Sequence, residues 1–384
     1  MKKQDEYQGF EQGPIRPPSE ADSLLIRLTR NCPWNRCTFC RVYKRSEFSL
    51  RTMENILKDI DCLYHYIERI KKKAASEGYI DNAGLNTLFN TLKDKDRMAF
   101  NAAANWYASG MKSIFLQDAN SLIMKPDDLV YILEYLKKCF PDIDRITTYA
   151  RSHTIVRIKQ GDLLRIADAG LNRVHVGMES GSDIVLKMVN KGASKASHIK
   201  AGLKIKRAGM ELSEYVMPGL GGIEYSIEHA METASALNRI NPDFIRIRTL
   251  AVTRGTKLAE EAESGAFQKP TDIMIAKELR LFLETLDGID SYIKSDHILN
   301  LFETIEGKMP DERDKMIGII DYFFNLDPDK RVLYQVGRRM GLFRGPHEME
   351  ENPHIESVRQ ACDNYKITSE NIDSVIDYLM KRFI

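Results

Sequence analysis

No stretch of about 18 apolar residues occurs in the sequence, so a membrane-spanning helix is not expected. Cysteine is scarce. Six in 384 residues cannot make the disulfide framework of a small secreted scaffold. An excess of charge is also lacking. Lys plus Arg number 56 and Asp plus Glu 55, a net charge of +1, which removes the general reason to expect nucleic acid or an anionic membrane as partner. The local basic runs Lys71–Lys73 and Arg338–Arg339 read as solvated helix faces or structural pairs rather than an RNA site. The opening MKKQDEYQGF has two lysines with no apolar stretch behind them, so no secretory leader is expected and a cytosolic location is. Neither an internal repeat nor a low-complexity tract is found. What remains is ordinary globular composition, 43% hydrophobic and 29% charged, with length for one large domain plus a smaller one.

The few cysteines are unevenly placed. Cys62, Cys139 and Cys362 are scattered, whereas Cys32, Cys37 and Cys40 crowd into nine residues, with four and then two residues between them. In a reducing compartment such a crowd points to a metal. Three thiolates on a short loop hold three irons of a cubane cluster and leave the fourth iron open to a small chelating ligand. The competing reading is zinc, which needs four ligands, usually as two pairs. No fourth Cys or His lies nearby, and Cys62 falls inside a helical pattern.

Residues 1–21 form a polar, Pro- and Gly-rich lead-in. The apolar run Leu24 to Leu28 reads as a buried strand that delivers the chain straight into the cysteine loop. Residues 51–75 carry Ile56, Ile60, Leu63, Ile67 and Ile70 at helical spacing and stop before Gly78. Further strands are expected at Ile114–Leu116, Arg145–Tyr149, Arg173–Val176, Glu211–Met217 and Phe244–Thr249. The helices expected between and after them are Asp127–Lys138, Ile155–Ala167, Ile184–Val189 and Ser226–Leu237. Strand–helix alternation implies parallel neighbours, because a parallel pair needs a crossover and a helix supplies it. The expected fold is therefore α/β, a partial (β/α)6 parallel barrel over residues 22–260. A mostly helical insertion is expected at about 78–110 and a helical region over 261–384. The cysteine loop then sits at the carboxyl end of the first strand, the end at which such barrels build their sites.

The cysteine loop, its place after the first strand and its Phe39-Cys40 ending resemble the radical S-adenosylmethionine (radical SAM) superfamily, whose commonest pattern has one residue fewer in the first gap. The resemblance continues along residues 22–260. Gln117-Asp118 falls where the family has a second-strand motif that holds the methionine amino group. Gly177-Met178-Glu179-Ser180-Gly181-Ser182-Asp183, completed by Asn190-Lys191-Gly192, resembles the fourth-strand motif of the subgroup with Elp-type and MiaB-type enzymes. Val216 to Gly222 resembles the fifth-strand glycine segment beside the adenine, and Arg248 to Thr256 the sixth strand and its exit. The resemblance implies a 4Fe-4S cluster on Cys32, Cys37 and Cys40. It also implies S-adenosyl-L-methionine in contact with Phe39, Gln117, Asp118, Glu179, Ser180, Met217 and Gly219, and a one-electron reductant of the flavodoxin or ferredoxin type. Electron transfer to the sulfonium would give methionine and a 5′-deoxyadenosyl radical that abstracts hydrogen from a substrate.

Elementary chemistry makes the same demands. The cofactor's ammonium needs an acceptor and its carboxylate a donor. Asp118 and Glu179 stand at strand ends, and Arg151 follows the third strand, where a guanidinium can grip a carboxylate. Each has a plainer reading: Asp118 as a cap or turn residue, Glu179 and Arg151 as ion-pair partners, Gly219, Gly221 and Gly222 as turn glycines. The chain has no further cysteine groups for auxiliary clusters. No basic β-domain of the kind RNA-modifying relatives carry is seen, so a small cytosolic metabolite is the expected substrate. RNA or peptide modification is the alternative, and a non-catalytic iron–sulfur carrier stands behind both. His297, in Ser295-Asp296-His297, reads as a satisfied structural histidine or a proton donor.

Overall fold

In the computed structural model, which describes residues 6–77, 79 and 81–380, helices and strands alternate as the apolar pattern requires. The first five residues, read above for a leader, and Gly78, the expected helix stop, lie outside the described residues. Among the described residues, eight of the ten strands belong to one mostly parallel sheet, which is the α/β architecture expected. The chain divides into two units.

One unit comprises the described part of Met1–Asn35 with Val42–His175 and Lys204–Glu211. It opens with β1 (Leu24–Arg27), β2 (Thr29–Arg30) and β3 (Ser49–Leu50), followed by α1 (Met53–Glu77), α2 (Asn82–Phe89) and α3 (Asp94–Ala108). The five apolar residues that marked α1 are all fully buried, and α1 packs along α3. Then come β4 (Ser113–Gln117), α4 (Pro126–Cys139), β5 (Arg145–Ala150), α5 (Ser152–Arg157) and α6 (Gln160–Asp168). The β1–β4 and β4–β5 pairs are parallel, with Leu24 opposite Ile114 and Ser113 opposite Arg145. Pro126, Asp127 and Asp128 start α4 and Lys137 and Lys138 end it, the arrangement that suits a helix dipole. The single helix expected over 155–167 is two, because Ile158 and Lys159 take extended conformations between them.

Strand β6 (Leu171–Glu179) begins in this unit and ends in the other, which comprises Arg36–Arg41, Val176–Leu203 and the described part of Leu212–Ile384. After α7 (Asp183–Met188) comes α8 (Lys195–Arg207), which was not expected. Its buried apolar side chains Ile199, Ala201 and Ile205 are few, and Lys200 and Lys204 fall between them. Then follow β7 (Glu211–Val216), α9 (Ser226–Ile240), β8 (Phe244–Ile247), α10 (Lys257–Glu263) and α11 (Asp272–Thr285). The tail is not wholly helical as expected. Short strands β9 (Tyr292–Lys294) and β10 (Glu306–Lys308) precede α12 (Arg313–Asn325), α13 (Pro328–Arg339), α14 (Ile355–Asn364) and α15 (Ile372–Met380). β9 runs parallel to β8, and β10 closes antiparallel on β9. Val185, Val189, Met217, Leu220, Leu250, Leu258 and Phe267 form a buried cluster in this unit, and Phe39 packs against it.

The tail also settles the Arg338–Arg339 run. Both guanidiniums are buried. Arg338 donates to the carbonyls of Asn300, Phe343, His297 and Ile298, while Arg339 donates to that of Leu299 and pairs with Asp272 at 2.6 Å. His297 accepts from the Leu299 N–H, and burial, with Arg248 and Arg338 nearby, pushes its imidazole down to about 4. A histidine neutral at physiological pH suits the structural reading better than that of a proton donor.

Candidate functional site

The cysteine loop is fixed at several points. Asn31 and Asn35 flank Cys32 with φ of 69° and 44°, the left-handed region that asparagine tolerates better than most residues. The Asn35 side chain donates to the Tyr43 carbonyl at 2.6 Å, and the Asn35 N–H points at Cys32 Sγ at 3.5 Å. In the second unit, Thr38 N–H donates to the Val189 carbonyl at 3.0 Å and Thr38 O accepts from Leu258 N–H at 3.1 Å. The strip between Cys37 and Cys40 is thereby stitched to the end of α7 and the start of α10. None of the three cysteines forms a disulfide, and all are half-buried. Thiols partly sheltered from water and unbridged are a donor set that suits iron. Among the described residues no group of three or more His, Cys, Asp or Glu is already drawn together as for a metal ion.

Within the first unit, β4 ends on two buried polar residues. The Gln117 amide is occupied by the lead-in, accepting from Gly13 N–H at 2.8 Å and donating to the carbonyls of Gly13 and Ile15. Asp118 is fully buried. Its Oδ2 accepts from Arg27 Nε and Nη2 at 2.9 and 2.8 Å and from Asn31 N–H at 3.0 Å, and Tyr43 donates its hydroxyl to Oδ1 at 3.2 Å. Arg151 follows β5, its guanidinium 5.1 Å from the centre of the Trp34 ring.

Within the second unit, Glu179 closes β6 in a left-handed conformation, φ 65°. Its Oε1 accepts from Lys191 Nζ at 2.9 Å, and both side chains are 13% exposed. Gly177 makes room for this pair, since a Cβ there would lie 2.4 Å from Glu179 Oε1. The Lys191 ammonium also stands 5.8 Å over the Phe39 ring. One lysine thus links the carboxylate to the residue next to Cys40. Ser180 is buried and 2.9 Å from His229 Nδ1, and His229 Nε2 donates to the Met217 carbonyl at 3.0 Å. That carbonyl only accepts, so Nε2 carries a proton, and in the corresponding neutral tautomer Nδ1 accepts from the Ser180 hydroxyl. Gly219, φ 88°, donates its N–H at 2.7 Å to Glu278, whose carboxyl burial raises. Lys191, His229, Gly13 and Glu278 were not singled out from the sequence. Lys191 alone had a signal, its place in Asn190-Lys191-Gly192.

Residues 98–234 match the family model described as Radical SAM superfamily. The chain carries a radical SAM domain. Enzymes of this superfamily use S-adenosyl-L-methionine and a 4Fe-4S cluster, and these are the cofactors here. The matched stretch holds Gln117, Asp118, Glu179, Lys191 and Met217 and begins after the cysteine loop. Two curated proteins named tRNA uridine(34) acetyltransferase are similar over 100 residues, one from Methanocaldococcus infernus at 31% identity and one from Methanocaldococcus jannaschii at 27%. Each alignment covers 26% of this chain, and the chain spans 19% and 18% of those relatives' lengths. Among solved structures, methylornithine synthase is similar at 17% identity, over 72% of this chain and 66% of that one, TM-score 0.43. Methanocaldococcus infernus Elp3 with an N-terminal deletion is similar at 16% identity over 60% of each chain, TM-score 0.43. The expectation of a small metabolite gains nothing from these relatives. The two curated ones carry tRNA in their names, whereas the net charge of +1 gave no general reason to expect nucleic acid. No helix among the described residues is long and apolar enough to cross a membrane.

Proposed function

We propose that this protein is a radical SAM enzyme in which Cys32, Cys37 and Cys40 hold the 4Fe-4S cluster, within a catalytic core of about residues 22–260. The observation that carries the reading is that three thiols within nine residues precede a radical SAM superfamily match on one chain. A cluster held by these three thiolates would supply the single electron for reductive cleavage of S-adenosylmethionine. The chain's own residues bind and orient. Lys191 holds Glu179 by Oε1, leaving Oε2 for the cofactor's ammonium or a ribose hydroxyl. The Arg151 guanidinium, braced on Trp34, suits the cofactor's carboxylate. Phe39, Ser180, Met217 and Gly219 line the approach, with Gly219 and Met217 fixed from behind by Glu278 and His229.

For the substrate, the relatives named for tRNA modification favour a nucleoside in RNA over a small metabolite, and we propose RNA as the class to test first. A cytosolic flavodoxin- or ferredoxin-type reductant completes the scheme. Anaerobically reconstituted protein should hold about four irons per chain and form 5′-deoxyadenosine with dithionite. Transfer RNA should raise that yield more than a pool of small metabolites does. Cys37→Ala should abolish both iron and product. A wild type that binds one zinc and no iron would refute the reading.

A further inference from the structure

A buried polar network surrounds Asp118. Three guanidiniums and three carboxylates meet there, all within the first unit. Besides Arg27 on Asp118, Glu11 of the lead-in pairs with Arg30 at 2.7 Å, Arg51 at 2.6 Å and Arg27 at 3.4 Å, and Arg51 pairs with buried Asp59 at 2.5 Å. Arg27 and Arg30 lie on the stretch that enters the cysteine loop, and Asn31 is the residue before Cys32. Tyr43 follows Cys40 by three residues and gives its hydroxyl to Asp118 and its carbonyl to Asn35. The lead-in is fitted closely over this network. A Cβ on Gly13 would sit 2.2 Å from Asp118 Oδ1, and Gln117 grips Gly13 on both sides of its peptide.

We propose that Asp118, with Arg27 and Glu11, positions the cysteine loop, and that this network controls loading and retention of the cluster rather than affinity for S-adenosylmethionine. The inference rests on reading the cysteines as cluster ligands. A carboxylate that is fully buried and already takes four donors offers little to an incoming ammonium. The same four donors come from both flanks of the loop that must hold a thiolate at a fixed point. A buried ion pair deprived of one partner leaves a charge uncompensated, so the loop's entry should loosen when the network is cut. Asp118 is thus a positioning residue, contrary to the cofactor contact its place after β4 implied.

The test compares the full-length wild type with Asp118→Asn, Glu11→Gln, Gly13→Ala and the conservative Arg27→Lys. Each is measured for melting of the cluster-free protein, iron per chain after anaerobic reconstitution, iron release to bathophenanthroline, and S-adenosylmethionine affinity by calorimetry on the loaded fraction. Glu11→Gln lies at the partly exposed rim and should melt close to wild type, so its iron release reads the loop and not the fold. Asp118→Asn and Glu11→Gln should release iron about tenfold faster, the effect of one lost charge-assisted hydrogen bond, while affinity on the loaded fraction changes less than about threefold. Arg27→Lys should fall between them and wild type. Wild-type iron release in both Asp118→Asn and Glu11→Gln overturns the inference. So does retained iron with affinity weakened about tenfold or more, which returns Asp118 to the cofactor. Should Asp118→Asn fail to fold, Glu11→Gln and Gly13→Ala decide by the same readings. A wild type that takes up no iron overturns the functional reading, and the inference with it.

Discussion

At the scale of single residues, the left-handed turn at Glu179 is informative. Glutamate gains nothing from φ 65° in isolation, so the fold around it holds the carboxylate at the end of β6. Lys191 neutralises it on one oxygen. Replacing it with the isosteric amide, Glu179→Gln, should weaken S-adenosylmethionine binding by about ten- to a hundredfold, roughly 1.5–3 kcal/mol, with iron content unchanged. Calorimetry beside iron analysis checks this; iron lost in step with affinity would contradict it. Glu214 poses a different problem. It is fully buried on β7, and neither carboxyl oxygen has a hydrogen-bond partner. Burial pushes its carboxyl well above the usual range; Glu179 adds to the shift and Lys191 opposes it. A raised folded value means the proton is held more tightly in the folded state. The stability this group contributes is therefore complete below the ordinary carboxylate range and is lost as pH rises through the raised value. Glu214→Gln should accordingly melt higher than wild type near pH 8, with the difference shrinking toward about pH 5. Melting temperatures across that range decide it, and a difference independent of pH would remove Glu214 as the cause.

At the scale of elements, the pair Arg339–Asp272 ties α13 to the first turn of α11, both side chains nearly inaccessible. Removing one partner strands a buried charge. Arg339→Ala should cost about 3–5 kcal/mol in urea unfolding, whereas an apolar pair of similar volume at both positions should come close to neutral. A cost below about 1 kcal/mol would mean the pair is solvated in practice. This pair also shows what a sequence can hide. Arg338–Arg339 reads as a charge run until the carbonyls of residues 297–300 and 343 are seen around Arg338 and Arg339. The six main strands were legible because short segments carrying apolar and β-branched residues alternate with helical stretches, and α1 because its apolar spacing from Ile56 to Ile70 spans about four turns. Strands β9 and β10 were not, since three residues carry no period and exist by pairing with a neighbour. Helix α8 was missed because lysines interrupt its buried face. For the site, the cysteines and the Glu179 motif stood out by spacing and order. The true surroundings of Asp118 did not, because its closest constraint, Gly13, lies 105 residues earlier in the chain.

At the scale of the molecule, a near-neutral chain is compared with relatives named for work on tRNA, of which it spans about a fifth. The radical SAM domain and the cysteine loop are what the chain offers toward chemistry, and both lie in its first 234 residues. If RNA is the substrate, a net charge of +1 leaves electrostatic attraction to a few local cations. The stimulation of turnover by tRNA should then fall with salt more gently than for a strongly basic protein, with a log–log slope of a few units at most. Turnover measured between low and moderate salt tests this, and a slope near ten would point to a basic surface not seen here. The most direct test of the whole account is 5′-deoxyadenosine, measured by chromatography and mass after anaerobically reconstituted protein meets S-adenosylmethionine and dithionite. The account predicts product from wild type and none from Cys37→Ala, with iron present in the first and absent from the second. A wild type that keeps its full iron and yields no 5′-deoxyadenosine, with tRNA or with small metabolites, would contradict it and leave an iron–sulfur electron carrier in its place.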